Sequence, residues 1–151
     1  MAKESKKIYK ARKGARGLTN NQAQIYGERI EKLMNKKKGK ITPRDIIADA
    51  ENLKSPFHSY FEWDDTEAGK LYRLQQARNL VASIVTVVVI KSKPMEHRSF
   101  FSVVNGKTKT VYVTLETATT KPNYRRQLIN QIKSHLRNTI NLLEMFEYYE
   151  K

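Results

Sequence analysis

Residues Ser55 to Val81 read SPFHSYFEWDDTEAGKLYRLQQARNLV, and the rest of the chain is organised around this stretch. It holds the only tryptophan, Trp63, among Phe57, Tyr60 and Phe61. Aromatic side chains bury large areas and dominate core energetics, so the cluster reads as a packing centre. Acidic residues Glu62, Asp64, Asp65 and Glu67 flank it in a chain that is otherwise basic. A helix is expected from about Asp65 to Ser83. Asp64 or Asp65 would cap it, Glu67 would suit its first turn, and Leu71, Leu74, Arg78 and Val81 recur at helical steps.

Upstream, Ile41-Thr42-Pro43-Arg44-Asp45 is a helix start, with Thr42 as cap, Pro43 in the first helical position and Asp45 closing a near-capping box. The short helix that follows ends before Pro56, with Ile46, Ile47, Ala50 and Leu53 as its apolar face. Another helix is expected over Leu18 to Asn35, capped by Thr19, Asn20 or Asn21 and striped by Ile25, Arg29, Ile30, Leu33 and Met34. Lys36, Lys37, Lys38 and Lys40 around Gly39 suit its C-terminus. Residues 1–17, with seven bases and one acid, read as a disordered basic arm.

Downstream the hydrophobic period changes. Ile84 to Ile90 is rich in β-branched residues and reads as a strand in the middle of a sheet. Lys91 to Arg98, containing Pro94, reads as a loop. Phe100 to Val104 and Thr108 to Leu115 flank Asn105-Gly106, a strong hairpin signal. A long helix then starts at Pro122 and runs toward Tyr149, with Tyr124, Leu128, Ile132, Leu136, Ile140 and Leu143 expected to cover the sheet. The fold class is therefore α+β: three N-terminal helices, a three-stranded antiparallel sheet with an Asn-Gly hairpin, and a long C-terminal helix. One domain is expected over residues 18–151, helical to 83 and carrying the sheet and last helix from 84 onward.

The formal net charge is +14 over 151 residues. Thirteen Lys or Arg and three Glu fall in residues 1–40, whereas residues 41–90 are slightly acidic. Such a balance favours a polyanionic partner. Absence of cysteine excludes disulfides and thiolate chemistry and suits a reducing cytoplasm, in a host cell if the chain is phage-encoded. The charged start reads as no secretory signal, and no apolar run is long enough for a membrane span.

His58, His97 and His135 lack metal-ligand spacing. No phosphate loop or nucleophile motif occurs, so no catalytic residue, metal site or cofactor is expected. The acidic group Glu62, Asp64, Asp65 and Glu67 invites comparison with metal nucleases, but a helix N-terminus already accounts for it. The candidate nucleic-acid contacts fall in four groups. The arm supplies Lys3, Lys6, Lys7, Lys10, Arg12, Lys13 and Arg16, and the lysine run supplies Lys36, Lys37, Lys38 and Lys40. Arg73, Gln76 and Asn79 would face the major groove from the second helix of an atypical helix-turn-helix. Arg126, Lys133 and Arg137, with Asn130, form a row along the last helix. Phe100, Phe101 and Tyr112 could stack RNA bases if exposed on the sheet.

The segment Ser55, Pro56, Phe57, His58, Phe61, Glu62, Trp63, Asp64, Asp65, then Ala68, Tyr72, Arg73, Leu74, Gln76, Ala77 and Arg78, resembles one in small, mostly uncharacterised phage and prophage proteins. The resemblance covers roughly residues 41–82 and extends to the Ile41-Thr42-Pro43 start. It implies a phage or mobile-element origin and transfers no functional residue. The leading expectation is a non-enzymatic DNA-binding protein, with RNA as another nucleic-acid target and no membrane partner. The alternative is an interaction protein that forms a homo-oligomer through the sheet and last helix, motivated by Phe146, Tyr148 and Tyr149, and docks on an acidic or nucleoprotein partner.

Overall fold

The structure, a computed structural model, describes residues 6–63 and 66–150. Its class is α+β, and the chain divides into two compact units, residues 1–115 and 116–151. The sequence by itself reads as a single domain over residues 18–151.

Capping chemistry sets the helix starts of the first unit. Thr19 N donates to Gln22 Oε1 (3.0 Å) and Gln22 N donates to Thr19 Oγ1 (3.2 Å), a closed capping box ahead of α1 (Asn20–Lys36). Thr42 and Asp45 form the same box before α2 (Pro43–Ala50), with Pro43 where a missing N–H costs nothing. The third helix, α3 (Glu67–Ser83), is capped by Thr66, whose hydroxyl accepts from Gly69 N at 3.1 Å. The expected caps Asp64 and Asp65 lie outside the described residues.

A strand occupies residues 8–11 of the expected arm. β1 (Ile8–Ala11) pairs antiparallel with β2 (Ile84–Ile90), and β2 with β3 (Lys93–Arg98), giving the order β1-β2-β3. The three-stranded sheet therefore exists with β2 at its centre, but its partners are the arm and the segment expected to be a loop. Pro94 misled because proline is excluded from central strands only, and β3 is an edge. β4 (Phe101–Asn105) and β5 (Lys109–Val113) form a separate two-stranded ribbon closed by the Asn105-Gly106 turn, with Gly106 at φ +75. Tyr112 N donates to Ile41 O at 2.7 Å and ties this ribbon to the start of α2.

The core of this unit gathers Ile30, Ile46, Phe57, Leu80, Ile84 and Phe100, all fully buried, around Tyr9. Tyr9 stacks beside Phe100 and packs on Gly27 of α1. The buried face of α3 is Gly69, Arg73, Ala77, Leu80 and Val81, whereas Leu71 is 68% exposed. Of the expected stripe through Leu71, Leu74, Arg78 and Val81, Val81 is buried and Leu74 partly so, whereas Leu71 and Arg78 face outward. Apolar residues occur around the whole circumference of α3, so spacing alone could not choose the face.

The second unit comprises α4 (Leu115–Thr120), apart from its first residue, and α5 (Pro122–Tyr149), with Pro122 in the first turn. Tyr124 and Leu128 are buried. Ile132, Leu136, Ile140 and Leu143, expected to be covered, are 55–58% exposed. Among the described residues no helix is long and apolar enough to cross a membrane.

Two stability predictions follow from backbone constraints. A Cβ at Gly27 would lie 2.6–2.7 Å from the Cδ atoms of the buried Tyr9 ring, so Gly27→Ala should destabilise by about 1–3 kcal/mol in urea unfolding through overpacking. Lys91 and Ser92 turn β2 into β3 with φ of 50° and 64°, a pair of left-handed residues that asparagine and glycine adopt more cheaply. Replacing them by Asn-Gly should stabilise by about 0.5–1 kcal/mol in the same assay.

Candidate nucleic-acid interface

Beyond β1 the chain turns at Arg12, whose amide donates to Ser83 O (2.7 Å) at the end of α3, while Ala15 N donates to Arg12 O (2.9 Å). Gly14 and Gly17 take positive φ of 82° and 70°, which lets residues 12–17 fold into a short loop before Thr19 starts α1. Leu18, buried at its far end, anchors that loop.

The loop overhangs a groove of about 570 Å³. Arg12 and Arg16 line one side, and Tyr72, Gln76 and Asn79 of α3 line the other. Tyr60 and the buried Tyr26 also contribute to the lining, with ring centroids 5.9 Å apart in an edge-on arrangement. No lining residue is acidic. Burial, with the neighbouring Tyr26 and Tyr72 phenols, raises the Tyr60 pKa and keeps its hydroxyl neutral.

Sequence reasoning singled out Arg12, Arg16, Gln76 and Asn79, and the structure brings these four together. It missed the tyrosines. The steps of four, three and four residues from Tyr72 through Gln76 and Asn79 to Ser83 on one helix were the signal that could have found Tyr72.

The aromatic segment forms the wall behind the groove and fixes two of the expected base-reading side chains. Trp63 stacks on His58 with centroids 4.9 Å apart, its Nε1 donates to His58 O (2.9 Å), and the Arg73 guanidinium lies 5.3 Å over its ring. Arg73 is 8% exposed and donates to Glu62 O at 3.0 Å. Gln76 accepts from Glu62 N (3.1 Å) and donates to Tyr60 O (3.2 Å). Both side chains hold the α3 surface against the segment before it, so the helix-turn-helix reading of this face is corrected. Residues 51–66 separate α2 from α3, far more than the three or four of a helix-turn-helix. Asn79 stays exposed, and its Oδ1 accepts from Gln75.

The remaining bases differ in environment. Lys6 and Lys7 pair with Glu28 (3.1 Å) and Glu31 (2.7 Å) on α1, Lys10 approaches Glu96 at 3.9 Å, and Lys37 pairs with Asp45 at 2.6 Å. Among the described residues neither Arg12, Lys13 nor Arg16 has a carboxylate partner, and all three are exposed. Lys36 and Lys38 are exposed at the end of α1, and Lys40 lines a small concavity of about 160 Å³ with Lys37 and Asp45. In the second unit Arg126, Asn130 and Lys133 line a concavity of about 480 Å³ with Thr119, Thr120 and Arg125, and Arg137 is exposed farther along α5. Lys3 lies outside the described residues. Phe100 is fully buried beside Tyr9 and so is closed to RNA bases, while Phe101 and Tyr112 of the ribbon are partly buried.

An ionic link holds the segment entering the groove wall. Arg29 Nε donates to Asp49 Oδ2 at 3.0 Å, with a second contact from the same guanidinium to Oδ1, and Ser55 Oγ donates to Asp49 Oδ2 at 2.7 Å. Ser55 in turn accepts from Phe57 N (3.2 Å), which starts the turn His58–Tyr60.

No protein-family model matches the chain, and neither does any curated protein or solved structure.

The Asp49 link carries a pH prediction. Burial pushes this carboxyl up, but donation from Arg29 and Ser55 outweighs it and holds the pKa below the usual aspartate value. A depressed carboxylate stabilises the fold above its unfolded pKa and loses that contribution as pH falls through the folded value. Stability measured by urea unfolding should therefore fall with acidification below about pH 4. Asp49→Asn should cost about 1–2 kcal/mol at pH 7 and flatten that acid limb.

Proposed function

We propose that the chain is a non-enzymatic DNA-binding protein of phage or prophage type, acting in the host cytoplasm. Its binding is dominated by phosphate contacts at the groove between the Arg12–Gly17 loop and α3. One observation carries this reading: Arg12 and Arg16 stand exposed, without carboxylate partners among the described residues, over a groove lined by no acid, in a chain of net charge +14. A guanidinium is a bidentate phosphate donor that stays charged at every working pH. Exposed Tyr72 adds a ring against which a sugar or base can pack, and the exposed Asn79 amide adds polar contact. Phosphate contacts set position and affinity while carrying no sequence information, so weak sequence preference is expected. The basic concavity at the head of α5 is a second phosphate contact of the same kind.

A second reading, an assembly protein, has its own observation in the exposed apolar side of α5. The two are compatible.

Binding to a mixed-sequence duplex, titrated against salt, tests the proposal. Deleting residues 1–17 would remove β1 and its buried Tyr9, so point variants are the suitable probes. The unaltered chain should lose affinity steeply with log salt concentration, and Arg12→Ala/Arg16→Ala should reduce the slope by about two. Lys6→Ala, whose ammonium faces Glu28, should change the slope less. No binding at about 50 mM salt would overturn the reading. A slope that the double variant leaves unchanged would remove the groove from it.

A further inference from the structure

Along α5, Ile129, Ile132, Leu136, Ile140, Leu143 and Phe146 fall within about 120° of one another at 100° per residue. They are 38–61% exposed, Ile129 being the least so and Phe146 the most. With on the order of 100 Å² exposed per side chain, the face presents about 600 Å² of apolar surface. That is at the upper end of the largest patch on a typical monomer, roughly 300–600 Å². It is also most of the roughly 800 Å² per partner that a specific interface buries. In proteins most helical stability comes from packing an amphipathic face, and the described residues past Leu128 on α5 are all exposed.

Charge on α5 indicates the occupant. Arg125, Arg126, Lys133 and Arg137 occupy the N-terminal part, and Glu144, Glu147 and Glu150 the C-terminal part. The macrodipole favours the opposite arrangement, acids first and bases last; here the first turn has no acid and the last turn no base. A single helix gains nothing from this order. Two helices running in opposite directions place each basic half against an acidic half.

We propose that α5 is a self-association helix that pairs antiparallel with α5 of a second copy of the chain. This deepens the assembly reading and is independent of DNA binding. In heptad terms Ile129, Leu136 and Leu143 share one core position, and Ile132, Thr139 and Phe146 the other. The register that fills the seam sets Ile129 opposite Phe146, Ile132 opposite Leu143 and Leu136 opposite Thr139. The same register sets Arg125 opposite Glu150 at both ends, so each end of the apolar seam closes on an ion pair. Parallel pairing would oppose Arg125 to Arg125 and Glu150 to Glu150, and like charges side by side are unfavourable.

Sedimentation equilibrium of the full chain tests both the partner and the direction. The chain should be a dimer in the micromolar range. Leu136→Asp, at a position 58% exposed and so outside the folded core, should raise the dimer dissociation constant by roughly thirtyfold or more with the circular dichroism unchanged. Arg125→Glu should weaken the dimer by roughly two- to fivefold, and adding Glu150→Arg should restore it. A monomer at about 100 µM, far above the affinity of a stable specific dimer, overturns the assembly reading and this proposal together. A dimer untouched by Leu136→Asp places the interface elsewhere and overturns the proposal alone. A dimer that Leu136→Asp breaks but Arg125→Glu leaves unchanged overturns the antiparallel register.

Discussion

Tyr9 lies against Gly27 at a separation that leaves no room for a Cβ, and from that contact much of the first unit follows. The ring is 2% exposed, stacks beside Phe100, and its hydroxyl donates to Glu31 Oε2 at 3.0 Å. A segment rich in lysine would otherwise remain in solvent, since ordering each residue costs about 1–2 kcal/mol of backbone entropy. Here one buried aromatic, four residues of ladder against β2, and the Gln24 contact to Tyr9 N (2.7 Å) offset that cost. Holding β1 in place fixes where Arg12 leaves the sheet, and so fixes the loop that overhangs the groove.

The helices were legible because their signals are local. Thr19 with Gln22, and Thr42 with Pro43 and Asp45, form caps from residues three apart, and the structure uses both. Strand pairing was less legible because partners lie far apart in sequence: Ile8 opposes Val87, and nothing near Ile8 announces it. Lys91-Ser92 is a poor signature for a turn with two positive φ angles, so the β2–β3 hairpin was hidden behind Pro94. Asn105-Gly106 carried its own mechanism and marked the right place.

Residue type identified candidates for the groove, while burial decided which of them could act. Arg73, Gln76 and Asn79 looked alike as major-groove side chains. Arg73 instead caps the Trp63 ring and Gln76 bridges Tyr60 and Glu62, which leaves Asn79 on the surface. The lysines just before β1 divided from Arg12 and Arg16 in the same way. Glu28 and Glu31 stand one turn apart along α1 beside β1 and meet Lys6 and Lys7, whereas no acid lines the groove. Formal charge therefore overstates the part of the chain that can attract a polyanion.

Two arginines over one groove would neutralise few phosphates, and affinity from counterion release scales with the number neutralised. A two-fold pair through α5 would carry two such grooves. Its second contact would form at the effective concentration set by the first. If the chain binds a polyanion as proposed, a module with weak individual contacts would gain affinity by this route without gaining sequence preference. On the proposed reading, the exposed seam of α5 and the unmatched arginines of the groove would answer one physical requirement: enough positive charge to stay on a polyanion at cellular salt.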